Sequence, residues 1–360
     1  MKILLVGQWR WTQYEEAFAN GLRVNGAEVI SFSTSQYFCG VLGRIKSAIP
    51  LLRSPLLDLN NALVVAVNQH RPDWVLFWRP TSILPGAIQQ IVEMGIRTVS
   101  YNNDDPFSPI HRSSARWRQY TLWYWYLRCL PHFDRNFFFR RVNCVEAQAF
   151  GARHAAVLLP YFVPEQDRPM TLTADDHRRF DCDVVFVGHF ESDGRDKVIR
   201  AMVDAGIDLK LWGGATWDRS DLSDICLRLG PVKAVIGDDY RRALCGAEIC
   251  LCLLSRLNRD SYTTRCFEIP ACRRVMLAER TQDLLTMFKE DEEACFFSSI
   301  DELIQKIKWL LADPLLRSRI AEAGFRRVWS DGHMVESRSR EVLSTMELFD
   351  SQESGLEGVV

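Results

Sequence analysis

Short apolar runs alternate with amphipathic segments along most of the chain. The runs KILLVG, AEVISFS and PDWVLFWRP have the length of buried strands, and YEEAFANGLRVNG, between the first two, has apolar residues at helical spacing. The alternation starts again at DCDVVFVGHF, with IDLKLWGG, EICLCLLS and RRVMLAER as later strands. Strands that alternate with helices predict parallel sheets with helices on both faces.

A polar segment interrupts this alternation near the middle of the chain. Residues 163–180, VPEQDRPMTLTADDHRRF, contain two prolines and no hydrophobic period, so we interpret them as the link between two domains. The predicted division is a first α/β domain at 1–165, a linker at 166–180, a second α/β domain at 181–332, a C-terminal helix at 333–350 and a frayed tail at 351–360.

Composition adds limits to this picture. The 360 residues fit two domains of about 150 residues each. The net charge of -2 provides no global field for nucleic acid, so we predict no such partner. The opening MKILLVGQWRW has an apolar run too short for a signal peptide or a membrane span, and we expect a cytoplasmic protein.

Cysteines are numerous but are not spaced as metal ligands. The 11 cysteines are scattered without a CxxC pair, and the closest two are Cys250 and Cys252, inside an apolar run. This pattern is typical of reduced, buried thiols in the cytoplasm. We therefore predict no structural zinc, no other bound metal and no bound cofactor.

Residues that directly follow strands are the candidates for a binding site, because ligands of open parallel sheets bind outside the carboxyl ends of the strands. The stretch RLNRDSYTTRCFEIPAC also contributes, since it follows a predicted strand and carries several arginines and hydroxyl groups. The candidates in the first domain are Gln8, Trp9, Arg79, Asn103, Asp104 and Asp105. The candidates in the second domain are Gly188, His189, Trp212, Gly213, Tyr240, Asn258, Arg259, Asp260, Thr264, Arg265 and Glu268.

The second-domain stretch suggests a diphosphate site. A helix is predicted to begin near Thr264, which can act as its N-cap, and helix N-termini with nearby arginines such as Arg259 and Arg265 bind phosphate. Glu268, one turn into that helix, can accept hydrogen bonds from a ribose diol. The alternative is that Arg265 and Glu268 form an ordinary surface pair at i,i+3 spacing.

Other candidates also have structural alternatives. Gly188 ends a strand and either admits a ligand or simply makes a turn. Trp212 either covers a planar ring or packs in the core. Asp104 or Asp105 either orients or deprotonates an acceptor hydroxyl, or forms an Asx turn before a proline. Arg79 either contacts a substrate or is a surface arginine at a strand end.

An aromatic segment occupies residues 116–130, RWRQYTLWYWYLRCL. Trp117, Tyr120 and Tyr124 lie on one helical face with Leu127, and further aromatic residues widen that face. Such a helix can lie at a membrane surface, where a lipid-linked acceptor would be found. The alternative, which we favour, is a helix packed in the core.

Several segments occur in an order that resembles a known family. They are DVVFVGHF, LKLWGG, GDDYRRALCGAEICLCLL, TTRCFEIPACRRVMLAER and HMVESR, with YNNDDP and FDRNFFFRRVNCVEAQAFGARHAAVLLPY as looser matches. Over residues 1–345 the chain resembles the CgeB-like (spore-maturation protein type) glycosyltransferases of the GT-B superfamily. This resemblance implies two Rossmann-like parallel-sheet domains facing across a cleft, with the C-terminal helix returning to the first domain.

The resemblance also implies roles for individual residues. The expected donor is a UDP-sugar or a GDP-sugar, and it would bind to the second domain without a metal. The acceptor would bind to the first domain. Glu268 matches the second glutamate of the E-x7-E motif of the related family 4 enzymes, which binds the nucleotide ribose. Asp260 falls on the position of the first glutamate, and Arg273 stands where relatives prefer glycine.

The sequence therefore predicts a glycosyltransferase that uses a nucleotide-diphosphate sugar, with retention implied by kinship. Its acceptor would be a glycan, a lipid-linked glycan, a protein or a small molecule. The alternatives are a non-catalytic nucleotide or nucleotide-sugar-binding protein and a nucleotide-sugar epimerase. A dinucleotide oxidoreductase is disfavoured because VGQWRW and VGHFES lack the GxGxxG pattern.

Overall fold

The computed structural model describes residues 1–38, 53–109, 117–220, 222–230 and 232–357. The chain forms two compact units, an N-terminal unit made of Met1–Leu159 together with Val335–Val360, and a C-terminal unit made of Pro160–Met334. The sequence of residues 41–70 also predicts helices, and the part of this range up to residue 52 lies outside the described residues.

The N-terminal unit contains a six-stranded parallel sheet in the order β2-β1-β3-β4-β5-β6. Strands β1 and β3 carry almost uninterrupted apolar side chains, as expected for strands covered on both faces. The strands are β1 (Lys2–Gly7), β2 (Glu28–Ser33), β3 (Trp74–Trp78), β4 (Arg97–Asn102), β5 (Arg135–Phe138) and β6 (Ala155–Val157).

The C-terminal unit contains a five-stranded sheet, also parallel, in the order β11-β10-β9-β7-β8. Its core is formed by apolar side chains of these strands and of the helices on both faces. The strands are β7 (Cys182–Val187), β8 (Leu209–Trp212), β9 (Ala247–Cys252), β10 (Val275–Glu279) and β11 (Cys295–Phe297).

Helices connect the strands in both units, which gives the α/β alternation that the sequence predicts. The helices of the N-terminal unit are α1 (Ala17–Val24), α2 (Arg53–His70), α3 (Pro85–Glu93), α4 (Trp117–Cys129) and α5 (Arg141–Ala149). Those of the C-terminal unit are α6 (Ala174–Phe180), α7 (Arg195–Asp204), α8 (Ser223–Leu229), α9 (Asp238–Gly246), α10 (Arg265–Ala271), α11 (Gln282–Met287), α12 (Ile300–Ala312) and α13 (Pro314–Ser330). The last helix is α14 (Val335–Glu357).

The last helix packs on the N-terminal unit. Helix α14 lies along α1, where a Cβ placed on Gly21 would come within 2.7 Å of the Ser339 hydroxyl oxygen, so the small residue permits the close approach. Further along, the Trp74 indole N–H donates to Asp350 at 3.1 Å. The C-terminal segment therefore completes the N-terminal unit, as the resemblance implies.

Two segments contain more helix than their composition indicates. The polar segment 163–180 contains helix α6, which begins with a capping box between Thr173 and Asp176. A helix of only seven residues is too short to show a hydrophobic period, but its capping residues were readable in the sequence. The tail expected to fray from residue 351 continues α14 as far as Glu357.

The aromatic segment is partly core. Trp123 and Tyr126 on α4 are 3% and 0% exposed and belong to the core of the N-terminal unit. The side chains of Trp117 and Tyr120 and the residues before them lie outside the described part. For Trp123 and Tyr126 the packed-helix alternative is correct. Among the described helices, none combines the length and apolar character needed to cross a membrane.

Candidate functional site

Each sheet has one point where the strand order reverses. In the N-terminal sheet the chain runs from β1 outward to β2 and then returns to β3 on the other side of β1; in the C-terminal sheet β7 is flanked in the same way by β8 and β9. Open parallel sheets bind ligands at the carboxyl ends of the strands beside such a point.

Two glycines make a close backbone contact after β7 and β8. The Gly188 N–H donates to the Trp212 carbonyl at 2.8 Å, and a Cβ on Gly213 would lie only 1.9 Å from the Gly188 carbonyl oxygen. The Trp217 indole N–H donates to that same oxygen at 2.8 Å. No side chain fits at Gly213, so the glycine is required by packing rather than by a turn alone.

The arginine predicted to contact phosphate lies beside the first of these glycines. A Cβ on Gly188 would come within 3.3 Å of Nη2 of Arg265, the first residue of α10. Thr264 has helical dihedral angles and its side chain makes no capping hydrogen bond, so the N-cap role expected for its hydroxyl is wrong. The helix has only seven residues. Arg265 is therefore the feature of α10 best placed to contact an anion.

One helical turn after Arg265, the side chain of Glu268 has a hydrogen-bond partner. The Tyr240 hydroxyl donates to its Oε2 at 2.5 Å, and both side chains are half-buried with their polar ends inside. Burial raises the pKa of Glu268, and the Tyr240 hydrogen bond and the Arg265 charge partly oppose this. Burial and the Glu268 carboxylate raise the pKa of Tyr240. Glu268 is thus not the solvated partner of a surface ion pair.

A second carboxylate, missed in the sequence, belongs to this cluster. Asp167 is 6% exposed and accepts the Val163 N–H at 2.7 Å. Burial, followed by the nearby Glu268 carboxylate, raises the pKa of Asp167, and Arg241 acts in the opposite direction. Two neighbouring buried carboxyl groups favour a state in which one of them keeps its proton.

The loop after β9 carries three further candidates. The Asn258 N–H donates to the Ser255 hydroxyl at 3.2 Å, and the Asp260 N–H donates to the Ser255 carbonyl at 2.9 Å. Arg259 between them has a φ of 51°, which is uncommon for a residue with a side chain. Backbone strain of this kind concentrates at binding sites.

His189 follows Gly188 and has a fixed orientation. Its Nε2 lies 2.8 Å from Oε1 of Glu191. Glu191, Asp193 and Arg195 form a buried ionic cluster in the same loop, with Arg195 Nη2 2.6 Å from Asp193 and 3.4 Å from Glu191. This cluster was not predicted from the sequence, although the acidic residues before an arginine in ESDGR were a visible signal.

Two other residues of the C-terminal unit have side chains that pack on neighbouring elements. The half-buried Trp212 side chain contacts Phe180, with ring centroids 5.7 Å apart, and Arg179, and its role as a ring cover stays a prediction. Arg273 has a φ of 55°, which lies in the left-handed region that favours glycine. Its side chain pairs with Glu322 at 3.1 Å and lies over Phe325 on α13.

The order reversal of the N-terminal sheet carries an ion pair. Nε of Arg79, after β3, lies 2.5 Å from Oδ2 of Asp104, after β4, and both side chains are about 30% exposed, at 28% and 30%. Arg79 also lies over the Trp123 ring, with its guanidinium carbon 5.3 Å from the centroid. Its φ of 46° is a second strained backbone position beside a strand end.

The neighbouring Asp105 has a structural role. It is 0% exposed, and its Oδ1 accepts the Phe107 N–H at 3.0 Å and the Asn143 amide at 2.8 Å. This is the Asx turn that was the alternative to an acceptor contact, so the expectation for Asp105 is wrong. The carbonyl of Asn103 accepts from Arg140 at 3.0 Å, and its side-chain oxygen is buried without a partner.

The loop after β1 is also strained. The Gln8 N–H donates to the buried carboxylate of Glu15 at 2.7 Å, and Trp9 has a φ of 56°. Glu15 lies in a short π-helical turn, Thr12–Glu16, in which Tyr14 has non-helical angles. Such π turns are common near functional sites. Gln8, Trp9 and Arg79 therefore follow adjacent strands at the order reversal, while Glu15 was not predicted.

Comparisons with known proteins add the following. A family described as Glycosyl transferase-like matches residues 195–344, which include α7 to α13 and the start of α14. No curated protein matches the chain. Within the described ranges, no three His, Cys, Asp or Glu side chains come together as a metal site.

Solved structures resemble the chain over nearly its full length. Sucrose-phosphate synthase from Thermosynechococcus elongatus is 14% identical, covers 99% of this chain and 100% of its own, and superposes with a TM-score of 0.66. Anabaena HepE in complex with UDP-glucose is 14% identical, with 96% and 99% covered and a TM-score of 0.66. A trehalose-6-phosphate synthase is 10% identical, with 97% and 99% covered and a TM-score of 0.62. The chain thus has the GT-B fold of two Rossmann-like parallel-sheet domains, and its residues 195–344 are similar to the Glycosyl transferase-like family.

Proposed function

We propose that the chain transfers a glycosyl group from a nucleoside-diphosphate sugar to a hydroxyl group of an acceptor. The observation that carries this proposal is the placement of the Arg265 guanidinium against Gly188, with the Glu268–Tyr240 pair one helical turn further on. A cation beside a strand-end glycine and a buried carboxylate at this spacing suit a diphosphate and a ribose diol of the same ligand.

The leaving group gives the arginines their chemical task. As the bond from the sugar to the diphosphate breaks, negative charge develops on the phosphate oxygens. Arg265 and Arg259 stabilise that charge in the proposed reaction, and His189 contacts the diphosphate from the other side of Gly188. The transfer proceeds with retention and without a metal ion, as kinship to family 4 enzymes implies.

The comparisons support this choice of donor. Residues 195–344 resemble a glycosyltransferase family, and the HepE neighbours were solved with UDP, with UDP and glucose, and with UDP-glucose. We therefore expect a UDP-sugar or a GDP-sugar. Asp260 takes the place of the first glutamate of the family motif and lies near the sugar in this proposal.

Acceptor activation is assigned to the N-terminal unit. Asp104 keeps 30% of its side chain exposed and is held by Arg79, so its second oxygen can accept a proton or a hydrogen bond from an acceptor hydroxyl. Asp105 is excluded from this role because it has no exposed surface. Asp104→Asn should therefore lower kcat and leave donor affinity unchanged.

A thermal-shift screen tests the donor claim. A ligand at a hundred times its Kd stabilises the folded state by about 2.7 kcal/mol, so saturating nucleotide should raise the melting temperature measurably. We expect a shift with UDP or GDP and their sugars, and no shift with CMP. If none of UDP, GDP, ADP, dTDP and their sugars produces a shift, the donor proposal is wrong.

A non-catalytic nucleotide-binding protein is the second candidate, favoured by the shorter Asp260 at the motif position. Turnover separates the two candidates, because a transferase releases free nucleoside diphosphate from its donor, slowly with water and faster with acceptor. Binding of the nucleotide sugar without any release, over hours and with a panel of acceptors, favours the binding protein.

A further inference from the structure

A single carboxylate bridges the order reversal of the C-terminal sheet. Oε1 of Glu191 lies 2.8 Å from Nε2 of His189, which follows β7. Oε2 of Glu191 accepts the hydroxyl of Ser255, which follows β9, at 2.5 Å. One residue thus connects the loops after two adjacent strands, on either side of the point where a ligand is expected.

The bridging carboxylate is itself held firmly. Glu191 has a side-chain exposure of 10%, and Arg195, at 5%, lies 3.4 Å from it. The same guanidinium donates to Asp193 through Nε at 2.8 Å and to the His189 carbonyl through Nη1 at 2.5 Å. The loop from His189 to Arg195 is therefore closed on itself, and its carboxylate has little freedom to turn.

Its surroundings keep Glu191 ionised. Burial by itself would raise the pKa of Glu191, but the His189 hydrogen bond and the Arg195 charge outweigh burial and hold that pKa below its usual range. An ionised carboxylate accepts at both oxygens, which is the state that this bridge requires.

Ser255 fixes the loop that follows it through two further hydrogen bonds. Its hydroxyl oxygen also accepts the Asn258 N–H at 3.2 Å, and its carbonyl accepts the Asp260 N–H at 2.9 Å. The strained Arg259 lies between these two anchored residues. The position of the loop therefore depends on the hydroxyl that Glu191 holds.

We propose that Glu191 is a positioning residue of the donor site, which fixes His189 and the loop 255–260 together around the nucleoside diphosphate. This inference rests on the proposed function. It assigns a role to Glu191 and Ser255, which do not contact the ligand themselves but orient residues that do.

The exposure of His189 separates this role from simple packing. His189 keeps 60% of its side chain exposed, yet it is fixed by a buried partner. A second histidine provides a comparison, since His177 Nδ1 lies 2.8 Å from Asp181 with both side chains more than half exposed. That pair lies at the C-terminal end of α6, where Asp181 directly follows the helix, so it serves as a control at an exposed, paired histidine.

A double-mutant cycle tests the inference. Affinities for UDP and for uridine are measured by calorimetry for the unaltered protein, His189→Ala, Glu191→Gln and the double variant, with GDP and guanosine measured in parallel. Each single substitution should weaken diphosphate binding by about 10-fold and change nucleoside binding by less than about 2-fold. The double variant should lose no more than Glu191→Gln alone, rather than about 100-fold, because Glu191 acts on the ligand through His189 and the loop 255–260.

Two further variants serve as controls for the double-mutant cycle. Ser255→Ala keeps the Glu191–His189 contact and should weaken diphosphate binding by about 3-fold, and His177→Ala should leave both affinities unchanged. Independent, multiplying losses at His189 and Glu191 overturn the proposal, as does equal weakening of UDP and uridine by Glu191→Gln. If the unaltered protein binds no nucleotide, the proposed function fails first and this inference fails with it.

Discussion

The phenolic oxygen of Tyr240 lies 2.5 Å from Oε2 of Glu268, and this hydrogen bond joins α9 to α10. It holds the carboxylate in one orientation, and the Arg265 charge lies nearby. A carboxylate with one oxygen occupied by a fixed donor retains acceptor capacity for a ligand hydroxyl. The pair is therefore the first target for substitution.

Removal of the Glu268 carboxylate should weaken nucleotide binding without unfolding the protein. Glu268→Ala is expected to weaken UDP or GDP binding by about 10- to 100-fold, because a charge-assisted hydrogen bond contributes roughly 1.5–3 kcal/mol. Tyr240→Phe should cost less, about 3- to 10-fold, since the carboxylate stays. Calorimetric titration measures both, and Glu292→Ala, at an exposed glutamate of the same unit, should match the unaltered protein.

The buried Asp167 gives a pH-dependent stability prediction. A carboxyl group whose folded-state pKa is raised binds its proton more tightly when folded, so it costs stability as pH rises above the unfolded value of about 3.9. Asp167→Asn removes this cost. The variant should gain melting temperature relative to the unaltered protein at pH 8 and gain less at pH 5.

The exposed Glu165, two residues away, supplies the control, because Glu165→Gln should show the same difference at both pH values. A constant offset for Asp167→Asn between pH 5 and pH 8 would contradict the prediction. That result would mean that Asp167 is not the proton-binding member of the cluster.

The loss of stability when a glycine is replaced by alanine should depend on the space available for the added Cβ. Gly213→Ala places a methyl group 1.9 Å from a backbone carbonyl oxygen and should destabilise by about 3 kcal/mol or more. Gly188→Ala meets the Phe186 ring at 2.8 Å and should cost about 1–3 kcal/mol and weaken nucleotide binding. Gly86→Ala, in α3 with nothing within 4 Å, should stabilise by about 0.5–1 kcal/mol. Thermal denaturation gives the order, and a destabilised Gly86→Ala would contradict it.

The fold could be predicted from the sequence because its strands and helices have recognisable local patterns. Buried strands bounded by turn residues, such as β3, and amphipathic segments between them need only neighbouring residues to be recognised. The role of the Trp212 side chain could not be predicted in this way. Its position at a strand end was clear, but the face on which it packs depends on Phe180, which is 32 positions away in the chain and in another element.

The site was only partly readable, because its contacts are distant in sequence. Glu191 meets Ser255 across 64 positions, and Tyr240 meets Glu268 across 28. No spacing rule links such pairs, so Glu191 and Asp167 were overlooked, while Tyr240 and Glu268 were named without the bond between them. Asp105 had both alternatives open, and only its burial decides in favour of the turn.

Glu302 carries a prediction for acid conditions. Arg280 donates to both of its oxygens, at 2.6 and 3.0 Å, and this pairing lowers the pKa of Glu302 to about 2. The lowered pKa stabilises the folded state above the unfolded value of about 4.3, and the contribution disappears as pH falls from there towards 2. Glu302→Gln should therefore lower the melting temperature at pH 7, and the deficit should shrink as the pH approaches 3.

Glu347 is an exposed glutamate on α14, and Glu347→Gln provides the comparison. Its effect on the melting temperature should be small at pH 7 and near pH 3 alike. A deficit for Glu302→Gln that stays constant between these pH values would show that the Arg280 pairing does not set its ionisation.

Arg273 occupies a backbone position that favours glycine. With a φ of 55° it bears a left-handed strain of about 1 kcal/mol, and its guanidinium gains contacts with Glu322 at 3.1 Å and with the Phe325 ring at 4.4 Å. Each contact is half-exposed and contributes up to about 1 kcal/mol.

Arg273→Ala keeps the strain and loses both contacts, so it should be the least stable variant. Arg273→Gly loses the contacts but relieves the strain, and should melt close to the unaltered protein. Neither change should alter nucleotide affinity, because the side chain packs on α13 and not beside Gly188. Melting temperatures and calorimetry on the two variants test both statements, and an alanine variant that is more stable than the glycine variant would refute the strain argument.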